Sequence, residues 1–239
     1  MNKNLVIIPT YNEEENIGSL VEKLFSLPEG YDVVVVDDGN DGTGALIKKM
    51  QESRSGLHLI KRKVKSGRGT AVLEGIKFGL LKDYEYLIEM DADFSHNPDE
   101  LAALMKVAGD NTVVIGSRYL SGSKIVNWPL RRRIFSKCAN FYADIVLGIG
   151  LKDYTDGYRV YGRAAAEKID HESVRSTGYI VLSEIAYQLF LKGVSFKEVP
   201  IIFVNRSRGS SSFSFKEIKE ALFSVVRIRR QYGTKKVVG

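Results

Sequence analysis

The chain has 239 residues, 44% of them hydrophobic, and a formal net charge of +6, which is enough apolar material for one sizeable core. Its single cysteine, Cys138, excludes an internal disulfide and fits a reducing compartment. No uninterrupted apolar stretch reaches the roughly 18 residues that a spanning helix needs, and the apolar run after Met1 is too short for a signal peptide. These properties predict a cytoplasmic protein without a transmembrane helix.

Strand-like and helix-like segments alternate through the first half of the chain. Runs of apolar and β-branched residues predict five strands, at residues 4–9, 31–38, 57–62, 84–91 and 112–118. Helical spacing predicts four helices, one with Asn12 as its N-cap and the others at residues 42–51, 69–81 and 98–108. Strands that alternate with helices are typical of a mainly parallel α/β sheet.

The second half of the chain is less regular. Its patterns predict a helix with a basic start, a late strand and an amphipathic helix, at residues 131–147, 199–204 and 214–230. Ser214 and Glu217 form a capping box at the start of the last helix. We therefore expect one α/β domain at residues 1–212, followed by a basic, amphipathic helical tail at residues 213–239.

Positive charge is concentrated in two places. Residues 205–239 contain nine Lys or Arg and two Glu, and the segment from Lys124 to Lys137 contains five basic residues and no acidic one. Such clusters favour phosphate, nucleic acid or an anionic membrane surface, and a solvated face is the alternative. No nucleic-acid recognition motif accompanies them, so we predict no nucleic-acid partner. The tail helix fits either an interfacial helix on an anionic membrane or a helix packed on the domain.

Two carboxylates, Asp91 and Asp93, lie one residue apart directly after the fourth predicted strand. Alternate residues of an extended strand face the same side, so both carboxylates could be directed at one point. Such a pair is costly unless a positive charge lies between its members, and a divalent cation with oxygen ligands would supply that charge. A solvated turn before a helix that starts at Asn97-Pro98 is the alternative interpretation.

Polar residues also follow the other predicted strands. In parallel α/β sheets, ligands bind beyond the carboxyl ends of the strands. This edge would therefore bring the acidic pair together with residues from four other strand ends, namely residues 9–13, 37–38, 65–69 and 117–118. Carboxylates, a cation and basic groups at one edge indicate a nucleotide-diphosphate site. The glycine-rich dinucleotide fingerprint and the P-loop are absent from the sequence, which argues against a hydride-transfer enzyme or a P-loop kinase.

Five motifs occur in the order seen in family 2 glycosyltransferases of GT-A fold. They are IIPTYNEEENI at 7–17, VVVVDDGNDGT at 33–43, KSGRGTAVLEGIKFGL at 65–80, EMDADFSHNP at 89–98 and GSRYLSGS at 116–123. Three later segments narrow the resemblance to the polyprenyl-phosphate (dolichol-phosphate) mannose synthases, at 127–148, 155–161 and 199–211. The resemblance covers nearly the whole chain and implies a GT-A nucleotide-sugar-binding fold, with a mainly parallel central sheet flanked by helices.

The resemblance implies a role for each matching position. The nucleotide sugar would be held by Pro9, Tyr11, Glu13, Val36, Asp38, Asp91, Ala92, Asp93, Arg118, Arg206 and Arg208, with Val36 and Asp38 at the base and ribose. Asp91 and Asp93 would bind Mg²⁺ or Mn²⁺ on the diphosphate. Arg118, Arg132 and Ser136 would hold the lipid phosphate, and Asp93, Arg118 and Arg132 would carry catalysis.

The implied reaction is inverting transfer of a hexose to polyprenyl or dolichyl phosphate by a peripheral enzyme on the cytoplasmic membrane face. A phosphate nucleophile is already anionic near neutral pH, so no strong general base is required. Accordingly, His96 is assigned a surface or packing role. GDP-mannose is the favoured donor, and the alternatives are UDP-glucose or another sugar nucleotide, or an inactive sugar-nucleotide-binding protein. Asp156 stands where Ser or Gly is common in the family, which bears on sugar and base identity.

Overall fold

The structure, a computed structural model, describes residues 3–176, 178–205 and 215–233, and for residues 215–221 it describes the backbone alone. The strands are β1 (Asn4–Thr10), β2 (Asp32–Asp37), β3 (Leu57–Lys61), β4 (Tyr86–Glu89), β5 (Thr112–Ser117), β6 (Lys124–Val126), β7 (Arg159–Gly162), β8 (Ser195–Pro200) and β9 (Ile202–Val204). The helices are α1 (Glu14–Phe25), α2 (Thr43–Gln51), α3 (Arg68–Leu81), α4 (Leu101–Lys106), α5 (Leu130–Leu147), α6 (Arg163–Ala166), α7 (Ile180–Leu191) and α8 (Phe215–Tyr232).

Seven strands form the central sheet, in the order β3-β2-β1-β4-β7-β5-β8, and β6 pairs with β9 in a second sheet. Every neighbouring pair in the central sheet is parallel except those made by β7, which runs antiparallel between β4 and β5. The mainly parallel sheet predicted from the sequence is therefore confirmed. Because β7 is reversed, the loop that precedes it meets the carboxyl ends of β4 and β5 at one edge of the sheet.

Both faces of the sheet are covered, and β2 shows how. Val33 and Val35 pack into a cluster with residues of α1, whereas Val34 and Val36 pack into a second cluster with residues of α3. This alternation follows from the two-residue period of a strand, and a strand buried on both faces is typical of a parallel sheet. The Val36 side chain, predicted at the base and ribose, is thus fully buried in the core.

The start of α1 differs from the prediction. Asn12 is not the N-cap: the helix begins at Glu14, and Asn12 adopts a φ of 58°, a conformation that Asn tolerates better than most residues. The first amides of the helix are satisfied from the loop after β2, because Asp41 accepts from the Glu14 amide at 3.2 Å and Thr43 accepts from the Glu13 amide at 3.0 Å. These two hydrogen bonds hold the loop after β1 against the segment after β2.

Other elements of the second half also differ from the predictions. The predicted strand over 199–204 is divided between β8 and β9, which belong to different sheets. Strands β6 and β7 and helices α6 and α7 have no counterpart among the predicted elements. Residues Val181–Leu189 of α7 are all buried, including the polar Ser183, Glu184 and Gln188, and a helix that is buried around its whole circumference shows no amphipathic pattern.

The C-terminal helix α8 is packed on the domain. Val225 and Ile228 are buried in the core cluster that includes residues of α5 and α7, and Tyr232 donates a hydrogen bond to Glu184 of α7 at 2.8 Å. The predicted cap residue Ser214 lies outside the described residues. Of the two interpretations of this helix, the geometry favours packing on the domain. No helix in the described part of the chain is both long and apolar enough to cross a membrane.

Candidate active site

A cavity of about 160 Å³ lies at the carboxyl edge of the sheet. It is lined by seven of the residues predicted to hold a nucleotide sugar, namely Pro9, Tyr11, Glu13, Asp38, Asp91, Ala92 and Asp93. Its lining also contains four other residues that the sequence placed at this strand edge, namely Thr10, Lys65, Gly67 and Arg68, and two without a predicted role, Ala71 and Tyr179. Arg118 does not line this cavity, and Arg206 and Arg208 lie outside the described residues. The predicted nucleotide residues from β1, β2 and β4 are thus brought together by the parallel strand ends.

The two carboxylates at the end of β2 have different partners. Asp37 is fully buried, accepts from Thr10 Oγ1 at 3.0 Å and pairs with Lys61 at 2.6 Å. Asp38, at the cavity, forms a two-point ion pair with Arg62 and accepts from the Gly67 amide at 3.3 Å. Asp37 therefore anchors the strand end, while Asp38 holds the segment after β3 against the cavity.

Arg68 occupies the position between the carboxylates of Asp91 and Glu89. Its Nε and Nη2 donate to Asp91 Oδ1 at 2.9 and 2.6 Å, and its Nη1 pairs with Glu89. Burial by itself would lower the pKa of the Arg68 guanidinium, but Asp91 and Glu89 raise it well above its usual value. Burial would raise the pKa of Asp91, and Arg68 lowers it instead, so this carboxylate stays ionised. The signal for Arg68 in the sequence was its place after the third predicted strand.

The acidic pair fits a hard divalent cation that takes its other ligands from a diphosphate. Within residues 3–176, 178–205 and 215–233, no three His, Cys, Asp or Glu side chains are grouped as metal ligands. Mg²⁺, however, is commonly held by one or two carboxylates together with substrate phosphates and waters. Asp91 and Asp93 line the same cavity, and Asp93 Oδ1 is oriented by the Ser95 amide at 3.1 Å.

Arg118 is buried at the end of β5 and is paired with two carboxylates. Its Nε and Nη2 donate to Asp153 at 2.7 and 2.8 Å, and its Nε lies 3.1 Å from Asp156 Oδ2. Burial alone would lower the pKa of Arg118, but these two carboxylates raise it. Both acids lie in the loop before β7. Arg159, which is fully buried, holds this loop by donating a hydrogen bond to the Asp156 carbonyl oxygen at 2.9 Å.

His96 connects the acidic pair to the Arg118 cluster. It is buried, stacks on Tyr158 with ring centroids 4.9 Å apart, and accepts from the Asp91 amide at 3.2 Å through Nδ1. Its Nε2 lies 3.2 Å from Asp156 Oδ1. A surface role for His96 is therefore wrong, and the residue is packed inside the domain. It lies between Asp91, after β4, and Asp156, which contacts Arg118 at the end of β5. Burial would raise the pKa of Asp156, but His96 and Arg118 lower it to about 2.

We expect Asp156→Asn to remove a pH-dependent part of the stability. Because the folded-state pKa is lowered, the stabilisation is present above the unfolded value of about 4 and is lost as the pH falls toward about 2. A shift of this size corresponds to ~2 kcal/mol. Urea unfolding at pH 6 and pH 3 should show the gap between wild type and variant narrowing at the lower pH. The exposed Asp83→Asn serves as a matched control, and an unchanged gap for Asp156→Asn would contradict the prediction.

The three residues predicted to bind the lipid phosphate meet around two aromatic rings. The Arg132 guanidinium lies 4.0 Å from the centre of the Trp128 ring, and that of Arg118 lies 5.5 Å from the same ring. The Ser136 side chain faces the hydroxyl of Tyr119, whose ring lies 5.7 Å from the Arg118 guanidinium. Two guanidinium groups and a hydroxyl are therefore grouped together here, and of these Arg118 is already paired with Asp153 and Asp156.

Comparison with known proteins agrees with this geometry. The model of the family described as "Glycosyl transferase family 2" matches residues 5–170. The chain is 43% identical to the polyprenol monophosphomannose synthase of Mycolicibacterium smegmatis, over 93% of this chain and 85% of the relative. It is 38% identical to the undecaprenyl-phosphate mannosyltransferase of Micrococcus luteus, over 93% of this chain and 92% of the relative.

The fold is also found among solved structures. Glucosyl-3-phosphoglycerate synthase from Mycobacterium tuberculosis, in complex with UDP, superposes with a TM-score of 0.63 at 16% identity, over 98% of this chain and 81% of that one. The same enzyme solved with Mn²⁺, UDP and glucosyl-3-phosphoglycerate also gives a TM-score of 0.63, at 15% identity over 95% of this chain and 78% of that one. This likeness confirms the GT-A type of fold predicted from the motifs.

Proposed function

Because the chain belongs to glycosyl transferase family 2, we propose that it transfers a mannosyl residue from a nucleotide sugar to a polyprenyl or dolichyl phosphate. The two similar proteins, a polyprenol monophosphomannose synthase and an undecaprenyl-phosphate mannosyltransferase, support this acceptor and this sugar. The observation that carries the proposal is the adjacency of an acidic cavity and a basic cluster. A nucleoside diphosphate with its counter-ion fits the first, and a phosphate monoester fits the second.

On the donor side, Asp91 and Asp93 would hold Mg²⁺ or Mn²⁺ against the diphosphate. Such a cation neutralises the charge that develops on a departing nucleoside diphosphate. Lys65, whose ammonium lies 3.4 Å above the Tyr11 ring, and Arg68 line the same cavity and would contact diphosphate oxygens. GDP-mannose is the donor that we favour, with Pro9, Tyr11, Glu13 and Asp38 at the nucleoside end.

On the acceptor side, Arg118 and Arg132 would orient the lipid phosphate toward the anomeric carbon. An oxygen of this phosphate attacks that carbon, the bond to the diphosphate breaks, and the configuration at the carbon inverts. Since the nucleophile is already anionic near neutral pH, the protein is required to position it and not to deprotonate it. Trp128, stacked against Arg132, would keep that guanidinium in place.

The donor is tested by incubating the protein with Mn²⁺, undecaprenyl phosphate and either labelled GDP-mannose or labelled UDP-glucose. We expect labelled lipid from GDP-mannose and at least tenfold less from UDP-glucose. The reverse preference would replace mannose as the transferred sugar. Tight nucleotide binding without a lipid product from either donor would favour an inactive sugar-nucleotide-binding protein.

A further inference from the structure

The two acidic partners of Arg68 differ in their access to the nucleotide cavity. Glu89 is fully buried, whereas the side chain of Asp91 is 18% exposed and lines the cavity. Arg68 donates to Asp91 Oδ1 through both Nε and Nη2, and it pairs with Glu89 through Nη1. Glu89 is therefore a permanent partner inside the domain, while Asp91 is a partner that a ligand in the cavity can take from Arg68.

The contact between Arg68 and Asp91 conflicts with metal binding by the same carboxylate. In the proposed function, Asp91 shares a divalent cation with the diphosphate. A guanidinium and a divalent cation repel each other at one carboxylate, so the contact with Arg68 must weaken when the cation binds. Arg68 itself lines the cavity, so its guanidinium can turn toward a ligand there without any movement of α3.

We propose that Arg68 is an exchangeable counter-ion of the acidic pair, which neutralises Asp91 before the donor binds and moves onto the diphosphate when metal and nucleotide bind together. This inference rests on the proposed function for its ligand, a nucleoside diphosphate with a divalent cation. Its consequence is that the protein binds the free cation weakly, because Arg68 already occupies Asp91. Cation and nucleotide then each strengthen the binding of the other by the same factor.

Gly157, in the loop before β7, leaves the room that this position of Arg68 requires. A Cβ atom on Gly157 would clash with Arg68 Nη2 and would lie 3.0 Å from its Cζ. Because the end of an arginine side chain is flexible, Gly157→Ala should displace the guanidinium from Asp91 without removing any charge from the cavity. This variant therefore separates the position of Arg68 from its charge.

The first test measures the Kd for Mn²⁺ alone, from the electron paramagnetic resonance signal of the free ion. We expect the double variant R68M/E89Q to bind Mn²⁺ about fivefold or more tightly than E89Q does, because only the double variant lacks the cation on Asp91. E89Q avoids an unpaired buried carboxylate and retains an oxygen for the Tyr161 hydroxyl, which donates to Glu89 at 3.2 Å. Gly157→Ala should shift the Kd in the same direction.

Lys65→Met is the matched control for the loss of a positive charge. The Lys65 ammonium lines the same cavity, but it lies 3.4 Å from the centre of the Tyr11 ring. Its removal should change the Kd for Mn²⁺ by less than about twofold, since water and salt screen a charge that is not on Asp91. An equal gain for Lys65→Met would reduce the effect to net charge and overturn the inference, as would unchanged Mn²⁺ binding by folded R68M/E89Q.

The second test measures the coupling between Mn²⁺ and GDP by calorimetric titration of each with and without the other. A charge-assisted contact to phosphate corresponds to about tenfold in affinity, so we expect the coupling factor to fall about tenfold from E89Q to R68M/E89Q. The affinity for GDP in EDTA should change less, because Arg68 then remains on Asp91. An ion pair with a purely structural role would leave the coupling factor unchanged, and that result would refute the exchange.

A transfer assay distinguishes failure of this inference from failure of the proposed function. Labelled lipid formed by the wild type from GDP-mannose, together with Mn²⁺ binding that is independent of Arg68, would refute the exchange alone. Coupling of Mn²⁺ and GDP that depends on Arg68, without a lipid product, would refute the proposed transfer and leave the exchange supported. Circular dichroism establishes that each variant is folded, and if R68M/E89Q is not, Gly157→Ala decides both binding tests against the wild type.

Discussion

Replacing Asp93 by asparagine is expected to lower the rate of mannosyl transfer by about a hundredfold or more without unfolding the protein. Asparagine retains an oxygen that can accept from the Ser95 amide, so the turn after β4 is preserved. The negative charge is lost, however, and with it most of the attraction for a divalent cation. Transfer measured at saturating donor and acceptor, together with the thermal unfolding midpoint, separates these two effects.

The control for this variant is Asp99→Asn, which changes an exposed carboxylate a few residues away that pairs with Lys23. It should leave the rate within about twofold, because a surface ion pair contributes little. EDTA should silence the wild type, and Mg²⁺ or Mn²⁺ should restore its activity. Undiminished transfer in the presence of chelator would contradict a role for Asp93 in holding a metal.

Replacing Arg132 by alanine should raise the KM for the lipid phosphate about tenfold or more, while the KM for GDP-mannose changes little. A charge-assisted hydrogen bond to a phosphate contributes roughly 1.5–3 kcal/mol, which corresponds to this factor. The guanidinium also stacks on Trp128 and donates to Asn205 at 3.4 Å, so its loss could loosen the Trp128 side chain. Intrinsic Trp128 fluorescence therefore accompanies the kinetics, since the chain contains one tryptophan.

Two further variants sharpen this result. Arg132→Lys keeps the charge and should recover part of the acceptor affinity, though an ammonium lacks the planar fork of a guanidinium. Arg131→Ala removes the exposed neighbouring charge and should leave the acceptor KM unchanged in detergent. A larger shift in the donor KM than in the acceptor KM would assign the cluster to the nucleotide sugar.

The parallel half of the fold could be read from the sequence because its signals are local. β-branched runs such as residues 33–36 form strands buried on both faces, and the helices between them have regular apolar spacing. Once the strands are parallel, their carboxyl ends must share one edge, so Pro9, Asp38 and Asp91 could be expected to meet before their contacts were known. The order of the motifs along the chain then indicated the glycosyltransferase family.

The partners of the charged groups depended on long-range contacts. Asp156 reaches Arg118 because β7 enters the sheet in reverse between β4 and β5, and no local pattern encodes that insertion. The spacing of His96 matches no metal site and predicts only a surface or packing role, yet in the fold it accepts from the Asp91 amide and lies 3.2 Å from the Asp156 carboxylate. A group's spacing in the chain reveals little about which charge it will face when folded.

Helices α5 and α8 show the same difference between what local sequence patterns predict and what long-range packing decides. By itself, the sequence determined that both are helical and that α8 has an apolar stripe, because side-chain period follows from backbone geometry. Only the tertiary structure decided that Val225 and Ile228 are covered by the domain while Phe141 and Ile145 are left exposed. The physical reason is that burying an apolar face lowers the free energy whichever surface covers it. Which surface does so is set by the packing of the whole fold.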